Sequence, residues 1–139
     1  MRKVTEQIAT AFLNSEKKTV GNTSTDGENI YLHGNKIVSK NRFDNGMVNN
    51  FLFTLHSWNT PTTRERLNGV LEKMGSSIRF RQKDHSPIIT GINDKGELVS
   101  KEIHSACRYS ISALYILLNE MQNEAQEVFK THVSNLPFV

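Results

Sequence analysis

Apolar residues in the last third of the chain keep helical step. Ile111, Leu114, Leu118, Met121, Ala125 and Val128 recur at alternating intervals of three and four, which lays one stripe along a helix. The spacing predicts a helix from Ile103 to Thr131, apolar on nearly all sides between Ala113 and Leu118 and polar-faced again from Glu120 to Glu127. About 29 residues at ~1.5 Å each would run ~43 Å, longer than the ~37 Å diameter of a domain of this size. An overhanging apolar end needs cover, and a second copy is the simplest one. Leu114, Leu118, Met121, Ala125 and Val128 are therefore the expected homodimer interface. Folding back onto Phe12, Leu13 and Phe138 is the alternative.

The earlier segments are shorter and carry other periods. Val4, Ile8, Ala11 and Phe12 share one face of a short helix over Val4 to Asn14, and the polar stretch Ser15 to Gly27 suits a loop. Asn29 to His33 and Lys36 to Ser39 flank Gly34-Asn35, which predicts a hairpin with a glycine-first two-residue turn. Asp44-Asn45-Gly46 supplies a second turn, and Met47 to Ser57 carries apolar residues on both faces, as a central strand does. A helix follows from Thr62 to Met74, with Thr60 as its cap, Pro61 in its first turn and Gly75 as its stop. Ile78 to Lys83, Pro87 to Ile92 and Glu97 to Ser100 read as three further strands, the last two joined by the Asn93 to Gly96 turn. Hairpins dominate, so the expected class is α+β: an antiparallel sheet of about six short strands and three helices, with the long C-terminal helix packed on the sheet.

Composition adds limits rather than a function. The chain has 139 residues, 37% hydrophobic and 22% charged, with a formal net charge of +3, which suits one domain with one core. Its single cysteine, Cys107, falls on the apolar stripe and is expected to be a small buried hydrophobe, in a reducing compartment. No stretch reaches the length of a membrane span, and Thr5, Glu6 and Gln7 stand where a signal peptide needs an apolar run. The expected location is cytoplasmic, without a membrane partner.

Charge location says more than its sum. Arg79, Arg81 and Lys83 alternate with Ile78, Phe80 and Gln82, so the three cations should share one strand face. The preceding helix adds Arg64, Arg66 and Lys73, and residues 64–83 carry a local net of +4. Such a patch suits a phosphate backbone or an acidic protein surface. It also suits a solvated strand edge guarded against aggregation. With Trp58 as an aromatic anchor, the expected partner-binding residues are Trp58, Arg64, Arg66, Arg79, Arg81 and Lys83. The five histidines lack the spacing that places two metal ligands on one helical face. No nucleophile motif or glycine-rich phosphate loop is present, so no metal, cofactor or catalytic residue is expected, and the protein is not expected to be an enzyme.

Three short runs add a source. Gly21-Asn22-Thr23, then Tyr31-Leu32-His33-Gly34-Asn35-Lys36-Ile37, then Trp58-Asn59-Thr60-Pro61-Thr62-Thr63-Arg64-Glu65-Arg66-Leu67-Asn68 together resemble a family of small bacteriophage proteins. The resemblance covers residues 21–71 and implies action in the cytoplasm of an infected bacterium. It implies a core over residues 21–75 with residues 76–139 as an extension, within one domain. By analogy with other small phage proteins, the expected function is to bind and inhibit or redirect a host complex, of defence or nucleic-acid handling. The rivals are a direct DNA- or RNA-binding regulator and a small virion component. The roles of Asn22, Thr23, His33, Asn35 and Asn68 inside these runs are left open.

Overall fold

The computed structural model describes residues 1–120. In chain order the elements are α1 (Lys3–Leu13), β1 (Lys18–Val20), β2 (Thr23–Thr25), β3 (Asn29–Leu32), β4 (Asn35–Arg42), β5 (Val48–Thr54), α2 (Pro61–Lys73), β6 (Arg79–Lys83), β7 (Ser86–Ile92), β8 (Leu98–Glu102), β9 (Arg108–Ser110) and α3 (Ile111–Leu118). One antiparallel sheet has the order β1-β2-β3-β4-β5-β9, and a second has the order β6-β7-β8. The α+β class holds, and the expected single sheet is divided in two.

The two sheets and three helices share a core. Phe12 from α1, Ile30, Ile37, Val38 and Phe53 from the first sheet, Leu67 and Leu71 from α2, Phe80 and Ile89 from the second sheet, and Leu114 and Leu118 from α3 belong to one buried cluster. Phe53 and Phe80 carry it across the gap between sheets, with ring centroids 6.2 Å apart. Each fully buried side chain of this size contributes about 1.5–3 kcal/mol.

Two elements differ from expectation for identifiable reasons. The supposed loop before Gly27 holds β1 and β2, which form a threonine-rich hairpin. Thr23 and Thr25 are buried where apolar residues would ordinarily mark a strand, so hydropathy gives no alternation. The long helix is also corrected. Residues 108–110 pair with β5 in the register Leu52↔Ser110, Phe53↔Tyr109 and Thr54↔Arg108, and only then does α3 begin. Ser110 caps it by accepting from the Ala113 N–H at 3.0 Å, a local stop to helix propagation that the apolar spacing could not reveal. Asn119 ends it, its side chain donating to the Tyr115 carbonyl at 2.8 Å while also accepting from the Asp94 N–H at 2.7 Å. Eight residues span only ~12 Å, so the overhang that motivated a dimer is not a property of α3. The Met121 to Val133 stretch, and with it Met121, Ala125 and Val128, lies outside the described residues. Cys107 is exposed rather than buried, since it precedes the helix.

The two longer helices pack closely on one another. Gly69 in α2 faces Thr5 in α1, and a Cβ built at Gly69 would lie 2.0 Å from the Thr5 methyl. That approach places Arg66, 5% exposed, at the junction of α1, α2 and β2. Its Nε donates to Thr23 Oγ1 at 2.9 Å, and its Nη1 donates to Thr5 Oγ1 at 2.8 Å and Glu65 Oε1 at 3.0 Å. Its Nη2 reaches Asn22 Oδ1 at 3.4 Å. The hydroxyl of Thr5 donates in turn to Glu65. Lys40 performs a similar task at the far end of α1, donating to the carbonyls of Phe12 and Gly27 at 2.6 and 2.8 Å.

Candidate functional site

Strand β6 carries the expected cations, and its environment sorts them. It is an edge strand, pairing only with β7, but α2 seals part of its other side. The Asn68 carboxamide donates to the Phe80 carbonyl at 2.9 Å and accepts from the Phe80 N–H at 2.6 Å, reproducing the donor and acceptor of a neighbouring strand. Asn68 is thus structural. Asn68→Ala leaves both backbone groups without partners beneath α2 and should lower stability by about 2–3 kcal/mol; urea denaturation checks this, and a loss below about 0.5 kcal/mol would contradict it.

Arg81 and Lys83 are exposed, whereas Arg79 is half-buried with its Nη1 donating to the carbonyls of Ser76 and Ile78, both at 2.7 Å. Arg64, on the first turns of α2, donates to Asn59 Oδ1 at 2.5 Å and to Gln82 Oε1 at 3.3 Å. The acceptors of Arg64, Arg79 and Arg81 are all neutral. Among the described residues none of Arg64, Arg79, Arg81 and Lys83 forms an ion pair; the pairs found there are Arg42–Glu28, Arg66–Glu65 and Lys73–Glu6. Their charge therefore remains available to a partner. Arg64 and Arg81 line a shallow groove of about 480 Å³ between α2 and β6.

Arg66 does not belong to this surface. The 3.6-residue helical period turns it from Arg64 toward α1, where burial and four hydrogen-bonding neighbours occupy it. Leu114 and Leu118 are likewise removed from the expected dimer interface, because both are fully buried in their own core. Leu118 packs where Gly91 in β7 leaves room: a Cβ there would lie 2.7 Å from a Leu118 methyl.

Trp58 stands at a turn that sequence patterns did not disclose. Its N–H donates to the Leu55 carbonyl at 2.8 Å, and His56 and Ser57 between them have φ of 52° and 61°. Two central residues with positive φ form a type I′ arrangement. The same signs occur at His33-Gly34, with φ of 51° and 80°, and at Asp84-His85, with 49° and 68°. The β3–β4 turn is therefore His33-Gly34, one residue earlier than the expected Gly34-Asn35. Histidine is among the non-glycine residues that enter this region most readily. Three of the five histidines are thus turn residues, and among the described residues no three of His, Cys, Asp and Glu come together.

Two of these turns meet beside α2. His33 and Asn35 from one, His56 and Trp58 from the other, and Thr60, Thr62 and Thr63 from the helix start surround a pocket of about 400 Å³ floored by Leu32, Ile37 and Leu55. The floor is buried and Trp58 is 59% exposed. Thr60 and Thr63 bond each other as the helix cap. Asn59 links this pocket to the cationic side, its amide nitrogen lying 3.4 Å from Gln82 Oε1 and 3.5 Å from the His85 carbonyl. The structure thus sets Arg64 beside the Trp58 turn through Asn59 and Arg81 along the same α2–β6 groove as Arg64, whereas Lys83 lines a separate polar groove with Asp84, Glu102 and Glu120. It adds His33, Asn35 and His56, which sequence reasoning had left without a role.

The fold and this surface define a small α+β protein in which a pocket built from two hairpin-type turns adjoins a cationic strand at the start of one helix. The chain belongs to the Kyanoviridae Gp96 protein family, a phage family whose match covers residues 1–110. The match runs through the second sheet and β9 and ends where α3 begins, so it extends well beyond the 21–71 stretch. No curated protein and no solved structure matches the chain. No helix among the described residues is long and apolar enough to cross a membrane.

Proposed function

We propose that this phage-family protein is a non-catalytic accessory factor that acts on host nucleic-acid handling by binding single-stranded nucleic acid over Trp58, Arg64, Arg81 and Lys83. One observation supports the reading above others: Arg64, a cation without an ion pair among the described residues, is bonded to Asn59 directly after the exposed Trp58, and Arg81 shares a groove with Arg64. Cations on the phosphate backbone supply affinity, and an aromatic ring supplies a stacking partner for a base.

Three phosphate contacts on a single strand give a slope of log affinity against log salt near about −2. Fluorescence anisotropy with labelled single-stranded DNA, RNA and duplex DNA across a salt series measures it. The expected result is a preference for single strands, a slope of about −2, and at least a ~10-fold loss in the Arg81→Glu/Lys83→Glu variant. Absence of binding at low salt by folded protein would refute the reading. The second reading is a host protein with an acidic surface, favoured by the apolar floor of the pocket beside Trp58. It would give a shallower salt slope, with Trp58 as an anchor.

A further inference from the structure

We infer that the pocket between the His33-Gly34 and His56-Ser57 turns seats a single unstacked nucleobase, stacked on Trp58 and hydrogen-bonded at its edge by Asn35 and the flanking imidazoles. The inference rests on the nucleic-acid reading above and names what that site would recognise. Its volume of about 400 Å³ falls in the ~300–1,000 Å³ range of small-ligand sites, with room for a base and its sugar.

The lining chooses among occupants. No Asp, Glu, Lys or Arg borders the pocket, so the part of the ligand that enters is uncharged. The floor of Leu32, Ile37 and Leu55 is apolar and suits a flat, weakly hydrated ring. The rim is polar, and the side chains of His33, Asn35, His56 and Trp58 make no hydrogen bond to any described residue. Asn35 is notable because most asparagines here are committed: Asn22, Asn29, Asn45, Asn50, Asn59, Asn68, Asn93 and Asn119 all use their side chains internally.

An aliphatic side chain from a protein partner would fill the floor but bury those polar groups unpaired, at a cost of roughly 5- to 150-fold in affinity for each. A base fills the floor and also offers neighbouring donors and acceptors that a carboxamide can match on both atoms. The charged phosphate stays outside, where Arg64 stands next to the pocket through its bond to Asn59. Tyr31 does not line this pocket, its hydroxyl donating instead to Asp26 at 3.4 Å, so it is no second platform for this site. One base, rather than a run of stacked bases, is the unit recognised.

Trp58 is the only tryptophan in the chain, so its emission reports on this pocket alone. The full chain would be titrated with adenosine, with uridine, with a single-stranded oligonucleotide, and with the same strand made abasic. Quenching of Trp58 by the oligonucleotide, with the abasic strand bound ~10- to 100-fold more weakly and without quenching, is expected. The Asn35→Ala variant, checked by circular dichroism, should weaken binding while leaving the salt slope unchanged. Saturable quenching by free nucleosides as well would identify a mononucleoside ligand; quenching by the strand alone would identify a base within a chain. If the abasic strand binds as tightly as the intact one, the pocket inference fails while the nucleic-acid reading stands. If neither strand nor nucleoside binds, both fail.

Discussion

Replacing Arg66 with methionine should destabilise the protein by about 3 kcal/mol, at the lower end of the ~3–5 kcal/mol that follows removal of one partner from a buried charged pair. Methionine fills much of the same space, so the loss is one of partners more than of volume. The hydroxyls of Thr5 and Thr23 and the carboxylate of Glu65 lose their common donor. The Glu65 side chain is 24% exposed, so water can rehydrate it, which keeps the figure from the upper end. Arg66→Lys should recover only part of the loss, since an ammonium cannot reproduce the fork that spans α1, α2 and β2. Urea denaturation of the three proteins measures this. A loss under about 1 kcal/mol for Arg66→Met would mean that the network contributes little and that helix packing alone holds α1 to α2.

Phe80→Ala should cost about 3–5 kcal/mol and, more informatively, should do so for the whole protein at once. Phe80 is 1% exposed, lies against Phe53 of the first sheet, and is the residue whose backbone Asn68 clasps. Removing its ring opens a cavity between the two sheets. If the shared core makes them one cooperative unit, amides in β4 and β7 lose hydrogen-exchange protection together, and circular dichroism gives a single transition. Loss of protection in β7 with β4 unaffected would show instead that the second sheet unfolds by itself.

Much of this architecture can be read in the chain because its signals are local. Thr60 and Pro61 start α2, Asp44-Asn45-Gly46 turns β4 into β5, and Asn93 to Gly96 turns β7 into β8; in each the residue that makes the turn or cap also marks it. The misses are places where the cause is not local. Thr23 and Thr25 are buried only because β3 and α1 pack against their strand and Arg66 reaches over Thr23, so their strand has no apolar signature. Residues 108–110 join β5 because Leu52, Phe53 and Thr54 lack a partner on that side, and the helical spacing around them records the core contacts of Leu114 and Leu118 as well as a helix. The candidate site divides in the same way. Arg64, Arg81, Lys83 and Trp58 stand out as residue types, whereas the pocket needs residues 32–37 and 55–63 to meet. His33 and His56 were hidden twice, as turn formers and as its rim. Arg66 looked like a fellow of Arg64 until α1 was in place.

The return of β9 to β5 also has a consequence in time. Strand β5 precedes β9 by the whole of α2 and the second sheet, so during translation its outer edge waits for more than fifty residues to be made. At ~5–20 residues per second, that delay is about 3–11 s. For that interval the nascent chain presents Val48–Thr54, with Phe51, Leu52 and Phe53 in succession, as an open pairing edge. The three short residues of β9 therefore act as a late closure, ending the period in which newly made copies can pair edge to edge. Slower synthesis would lengthen that exposure, and a chain ending before Arg108 would never close it.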